Sequence, residues 1–180
     1  MAVEKAFGHA NVHKLDRLTV SMKHPDGLAA LLSPASEIDG HFGSPPLQYE
    51  ELEHPGIHTA LNSYDVLGGP ATFVVVWATS GFRAANPKVY LAFVDALKQS
   101  VDFINNNKEQ AAEIYLKVSH DKASKESILK MLNDPLIQFG LTPKNTMKYA
   151  DFMYQIGSIK VKPHSWKDLF FPEMHALPAS

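Results

Sequence analysis

Ile38-Asp39-Gly40-His41-Phe42-Gly43-Ser44-Pro45-Pro46, residues 38–46, is the stretch from which the rest of the chain is read. Residues 38–42 read as a short apolar strand, Gly43 to Pro46 break it, and residues 47–52 open a polar helix. A strand end set against a helix start is where open α/β sheets hold small molecules. Upstream, Leu18, Val20 and Met22 alternate along residues 15–22, the pattern of a half-buried strand that would pair with 38–42. Between the two, Pro25 suits the first helical position and Leu28, Leu31 and Leu32 fall at helical spacing. Residues 18–42 therefore predict a strand, helix, strand unit of the right-handed parallel kind. Downstream, residues 72–79 are β-branched and aromatic, apolar on both faces, and follow Gly68-Gly69-Pro70, which predicts a buried strand after a flexible joint.

From residue 85 the pattern becomes helical. Asn86 is placed to cap and Pro87 to occupy the first turn, with Tyr90, Phe93, Val94, Leu97, Val101 and Ile104 as an apolar stripe ending at Asn105-Asn106-Asn107. A second helix is expected over about 108–118, with Ile114, Tyr115 and Val118 inward. A third runs from a Ser124 cap to Leu132 before Asp134-Pro135. Thr142-Pro143 opens a fourth, closed by Gly157, with Met147, Ala150, Met153 and Tyr154 on one face. Residues 160–180 read as an extended tail laying Trp166, Phe170 and Phe171 on the helices.

The chain has 180 residues, 45% of them apolar and 20% charged, a normal globular balance. A net charge of -2 leaves no basic footprint for nucleic acid or an anionic membrane surface. With no cysteine, disulfides, thiolate metal sites and cysteine nucleophiles are excluded. The first residues have neither the charged region nor the apolar core of a signal peptide, and the longest apolar run, 73–78, is too short to span a bilayer.

Ser44 offers a hydroxyl at the strand end. Because Pro45 and Pro46 have no N–H, the first amides available there belong to Leu47 and Gln48. The prolines form a rigid apolar wall suited to a ligand with a polar head and an apolar body; a helix N-cap with proline punctuation fits the same residues. Asp39, His41 and Ser44 invite a triad reading, but Ser44 is in no nucleophile elbow and nothing marks an oxyanion hole, so no catalytic residue is assigned. His41 is read as a residue near the cleft. His24 and Asp26, beside Pro25, are read either as helix-start residues or as ligand contacts. His9 and His13 are spaced i, i+4 but lack a third ligand, so no metal and no cofactor is expected. His54 and His58 flank a Pro55-Gly56 turn and are expected to be exposed. Gly68-Gly69-Pro70 reads as a hinge or as an ordinary loop before a strand. Trp77 and Trp166 are read as packing residues.

Taken in order, HPDGLAALLSPASEIDGHFGSPPLQYEEL (24–52), LNSYDVLGGPATFVVVW (61–77) and TPKNTMKYADFMYQIGSIKVKPHSWKDLFF (142–171) resemble the periplasmic substrate-binding proteins of ABC importers. The subgroup is the nitrate/sulfonate/taurine class, which includes binders of thiamine-pyrimidine precursors. The likeness runs over the whole chain and over the second half of the family pattern, so it implies a C-terminal portion of a longer protein. The implied fold is α/β, a partial type II periplasmic-binding fold with a small parallel or mixed sheet plus C-terminal helices. Residues 1–66 would be the second-lobe α/β portion, 67–84 the inter-lobe hinge and crossing strand, and 85–180 the helices completing the first lobe. Residues matching Gly43-Ser44-Pro45-Pro46 line the cleft in that family, and Gly69, Pro70 and Thr72 border it. With His41 and Asp26 these make the expected ligand set. The resemblance further implies capture of a small anionic, sulfonate or pyrimidine-like solute, an ABC permease as partner, and a periplasmic or lipid-anchored extracellular location. An enzyme on the same fold, such as a pyrimidine-precursor synthase or a desulfinase, is one rival. A free-standing α/β interaction domain is the other; an unpaired sheet edge would favour a homodimer.

Overall fold

A computed structural model describes residues 1–179 and places nine α-helices among them: α1 Ala2–Phe7, α2 His24–Leu32, α3 Leu47–Glu51, α4 Ser63–Leu67, α5 Ser80–Ala85, α6 Pro87–Asn106, α7 Lys108–Ser119, α8 Lys125–Asn133 and α9 Thr146–Gln155. Single 3-10 turns lie at His9–Asn11, Asp16–Leu18, Trp166–Leu169 and Pro172–Met174. Local chemistry accounts for most boundaries. Pro25 sits in the first turn of α2 and Pro87 in that of α6, where a missing N–H costs nothing. The Ser124 hydroxyl accepts the Ser127 amide at 3.1 Å and starts α8. Two expected boundaries differ. The Asn86 side chain donates to the Phe82 carbonyl at 3.1 Å, so it closes α5 and does not cap α6. The last α-helix starts at Thr146 and not at Pro143, because Asn145 stands at φ 53°, outside the right-handed helical region.

The expected α/β architecture is overturned: the described residues contain no strand and no sheet. Only α2 of the strand, helix, strand unit forms. Residues 15–22 hold a 3-10 turn followed by an irregular exposed stretch, and 38–42 carry no ladder of backbone hydrogen bonds. The reason is that alternation determines which way side chains would point on a strand, while a strand itself requires a partner's N–H and C=O groups. The same holds at 72–79. Phe73 is 73% exposed and Trp77 82%, so the expected buried strand is an open apolar segment and Trp77 is not a packing residue.

The apolar core lies between α7 and α8, where Ala111, Ala112, Ile128, Met131 and Leu132 are buried and Phe103, Ile104, Tyr115, Leu116 and Leu129 pack round them. Ile114 and Val118, expected to face inward, are exposed, because the buried face of α7 follows Ala111, Ala112 and Tyr115. Asp121 shapes the α7–α8 turn by accepting the Ala123 amide at 2.9 Å and the Tyr115 hydroxyl at 2.8 Å. Lys125 holds Glu109 and Glu113, each at 2.8 Å. The tail returns to the helices through Phe171, which meets the Tyr90 ring edge-on at 5.5 Å, and Glu173, which pairs with Arg83 at 2.5 Å. It is not extended but turns at Trp166–Leu169 and Pro172–Met174, and Trp166 packs within the tail against Phe170 and His175. No helix among the described residues is long and apolar enough to cross a membrane.

Directional bonds join the first half of the chain to these helices. The Tyr49 hydroxyl donates to Asp134 at 2.7 Å and that of Tyr64 to the Leu136 carbonyl at 2.9 Å. The Lys148 ammonium donates to the Leu67 carbonyl. Burial, helped by Asp134, holds the Tyr49 phenol above its ordinary range. Several carboxyls are held low: Asp134 by the Tyr49 hydroxyl and the Leu136 amide, Asp121 by the Ala123 amide and Tyr115, Asp168 by the Ser165 and His164 amides, and Glu173 by Arg83.

Two predictions follow from this packing. As pH falls below about 4 the unfolded chain takes up protons at these carboxyls before the folded one does, so stability is full above that pH and drops through it. Tyr49 acts in the opposite sense, its contribution being lost as pH rises past about 10. Urea unfolding midpoints measured across pH should fall at both ends. Tyr49→Phe should cost about 1 kcal/mol at neutral pH and flatten the alkaline limb. Second, an open apolar segment with unpaired backbone groups invites edge association. Light scattering should find the chain associated, and Val75→Lys should shift it toward monomer.

Candidate functional site

α3 is short, and both of its sides are used. Ser44 starts it through its carbonyl, which accepts the Gln48 amide at 3.2 Å, and the Tyr49 amide reaches the Pro46 carbonyl at 3.0 Å. The Gln48 N–H expected to await a ligand is therefore already engaged, and the cap position belongs to Pro46, which a cis peptide joins to Pro45. Tyr49 points to Asp134; Glu51 points to the other side.

Glu51 is 6% exposed, and its carboxylate lies 2.5 Å from Nδ1 of His41, whose side chain is 11% exposed. A carboxylate has only lone pairs to offer, so the proton of this bond sits on His41 Nδ1. The Nε2 of the same ring then presents its lone pair, and Nδ1 of His24 stands 3.3 Å from it, with the ring centroids 5.3 Å apart and the planes tilted by 59°. Two glycines allow this closeness. A Cβ on Gly27, inside α2, would fall 2.6 Å from His41 Nε2, and one on Gly43 would fall 2.9 Å from Glu51 Oε2 and 3.1 Å from Gln48 Cβ. α2, the 38–46 stretch and α3 are thus clamped by one imidazole and one carboxylate.

Of the expected ligand residues, the structure brings His41 and Gly43 into this clamp, with Ser44 half-buried at its rim and Pro45 exposed beside it. Asp26 is exposed on the first turn of α2. His24 caps nothing and faces His41 instead. Asp39 is exposed, and the carboxylate on His41 is that of Glu51, so the Asp39, His41, Ser44 arrangement does not form. Gly69, Pro70 and Thr72 belong to a different junction. The Thr72 amide donates to the Lys144 carbonyl at 2.9 Å, its hydroxyl oxygen accepts the Lys144 amide at 2.8 Å, and the Asn145 side chain donates to the Pro70 carbonyl at 2.8 Å. Gly68 ends α4 in the left-handed region at φ 74°, so part of the expected hinge is a helix stop.

His9 and His13 do not share a helix face; His9 pairs with Glu4 and His13 with Asp16, each at 2.7 Å. His54 and His58 are exposed. Sequence reasoning missed Glu51 and Gly27. Glu51 stands four residues after Leu47 and so shares its face, and a glycine within a helix often marks close approach of another group. Surface depressions lie elsewhere, beside Asn105, Asn107 and Asn133, and beside Arg83, Tyr90 and Glu173.

No protein-family model, no curated protein and no solved structure matches the chain.

The clamp predicts the effect of one methyl group. Gly27→Ala raises helix propensity by up to about 1 kcal/mol, yet its Cβ cannot share space with the His41 ring. Net destabilisation of about 1–3 kcal/mol in urea unfolding is expected. A stabilised Gly27→Ala variant would show that the ring does not lie against α2.

Proposed function

We propose that the chain is the solute-binding component of an ABC importer, taking its solute at the Gly43-Ser44-Pro45-Pro46 turn and presenting it, without chemistry, to a membrane permease. A periplasmic or lipid-anchored extracellular location goes with that reading. Its support from sequence is the resemblance over the segments quoted above. Its support from geometry is the Glu51–His41 clamp, which fixes the strand-less 38–46 stretch against two helices and leaves Ser44 half-buried beside an exposed proline. A polar rim against an apolar wall suits a small, partly apolar solute.

The same clamp orders the solute classes. A buried carboxylate next to Gly43 repels a bare anion, while the donors and acceptors of a pyrimidine ring suit pairing with the Ser44 hydroxyl at the rim. An aminopyrimidine is therefore favoured over an alkanesulfonate, and both over nitrate. The exposed apolar segment at 73–77 fits a protein that works against another chain.

Calorimetric titration with an aminopyrimidine, an alkanesulfonate and nitrate tests the reading. Saturable binding of the pyrimidine is expected, weakened about fivefold, or about 1 kcal/mol, by Ser44→Ala. Absence of binding for all three, or an affinity indifferent to Ser44→Ala, would refute it.

A further inference from the structure

The geometry points to a divalent-cation site, suited to Zn²⁺, between Nδ1 of His24 and Nε2 of His41, with the Glu51 carboxylate orienting the second imidazole. Three observations support it. The two nitrogens are 3.3 Å apart. An ion held at the ordinary zinc–imidazole distance from both would subtend an N–Zn–N angle of about 105°, close to tetrahedral. His41 is also presented as a zinc-bound histidine is: Nδ1–H is given to a carboxylate at 2.5 Å, which fixes the tautomer and leaves Nε2 to face His24. Finally, Gly27 does not block the Nε2 lone pair. His24 is exposed, and the distances from a Gly27 Cβ to Nε2, Cδ2 and Cε1 of His41, 2.6, 2.8 and 3.1 Å, are too alike for Gly27 to lie on the Nε2 lone-pair axis. It lies over the ring face and leaves that axis to His24.

A hydrogen bond between the two imidazoles would also bring them together, and the ion would replace its proton. Among the described residues no third histidine or carboxylate completes a protein cage, so the two remaining positions of a tetrahedral ion fall to water or to an added ligand. The site is thus an open one. It stands independently of the solute reading, since the ion alone is the probe.

Titration of the full chain with Zn²⁺ alone, followed by calorimetry and by the histidine ring signals in NMR, tests the assignment. One ion per chain is expected, with the His24 and His41 signals moving together. His24→Ala, a surface change that leaves the Glu51–His41 pair in place, should abolish this binding, and Glu51→Gln should weaken it about 10–100-fold. Absence of one-to-one binding would overturn the proposal. So would binding that survives His24→Ala, which would put the ion at another histidine, such as His9 beside Glu4 or His13 beside Asp16.

Discussion

A carboxylate taken out of water must be matched, and the match for Glu51 is the imidazole of His41. The placement of α2 and α3 around the 38–46 stretch depends on that pair. α2, the 38–46 stretch and α3 bury little apolar surface together: Gly27 and Glu51 are their buried residues. Such an assembly has little hydrophobic driving force, and a charge-assisted bond in a low-dielectric setting supplies direction that packing does not. Gly27 and Gly43 are the steric condition for it, since any side chain at either position would enter the space of the imidazole or the carboxylate. A buried carboxylate held by a neutral imidazole in this way specifies an arrangement more than it stabilises one, and removing the imidazole would leave the carboxylate buried and unmatched.

The two halves of the molecule are held by different physics. In the second half, Ile128 and its neighbours between α7 and α8 form a core with ordinary apolar burial, and the caps and turn around Asp121 complete it. In the first half, before α6, Leu67 is the one large apolar residue buried among the described residues, and the links named between elements are polar. α3 links the two, giving Glu51 to the His41 clamp and Tyr49 to Asp134. The candidate site therefore sits at the seam, where a small displacement of α3 would be felt on both sides. The 73–77 segment is the counterpart of this arrangement, an apolar stretch that neither half covers.

The helices were legible because their signals are local. Pro87, Ser124 and Gly157 mark boundaries whose chemistry acts within a turn, and the structure places helix starts or stops at each. The sheet was not legible in the same sense. Leu18, Val20 and Met22 alternate, and residues 72–79 carry strong β propensity, but propensity is realised only where a second strand offers a ladder. At the site, the Gly43-Ser44-Pro45-Pro46 break was readable as a turn before a helix, whereas its chemistry was not. Glu51 lies in a polar helix where nothing nearby in sequence marks it as buried, and its partner His41 comes from ten residues away. The pairing of Thr72 with Lys144 spans still more chain, so nothing near them in sequence marks Pro70 and Thr72, read as cleft residues from the family resemblance, as standing at a junction with the 144–145 loop.

The proton on His41 tests this account most directly. Long-range nitrogen–proton correlation spectra of the histidine rings, recorded on the full chain near neutral pH, report which nitrogen carries the proton. The clamp predicts His41 in the Nδ1–H form, with that proton protected from exchange and the signal lost in Glu51→Gln. A His41 protonated at Nε2, or one whose ring spectrum is unchanged by Glu51→Gln, would contradict the clamp and the site built on it.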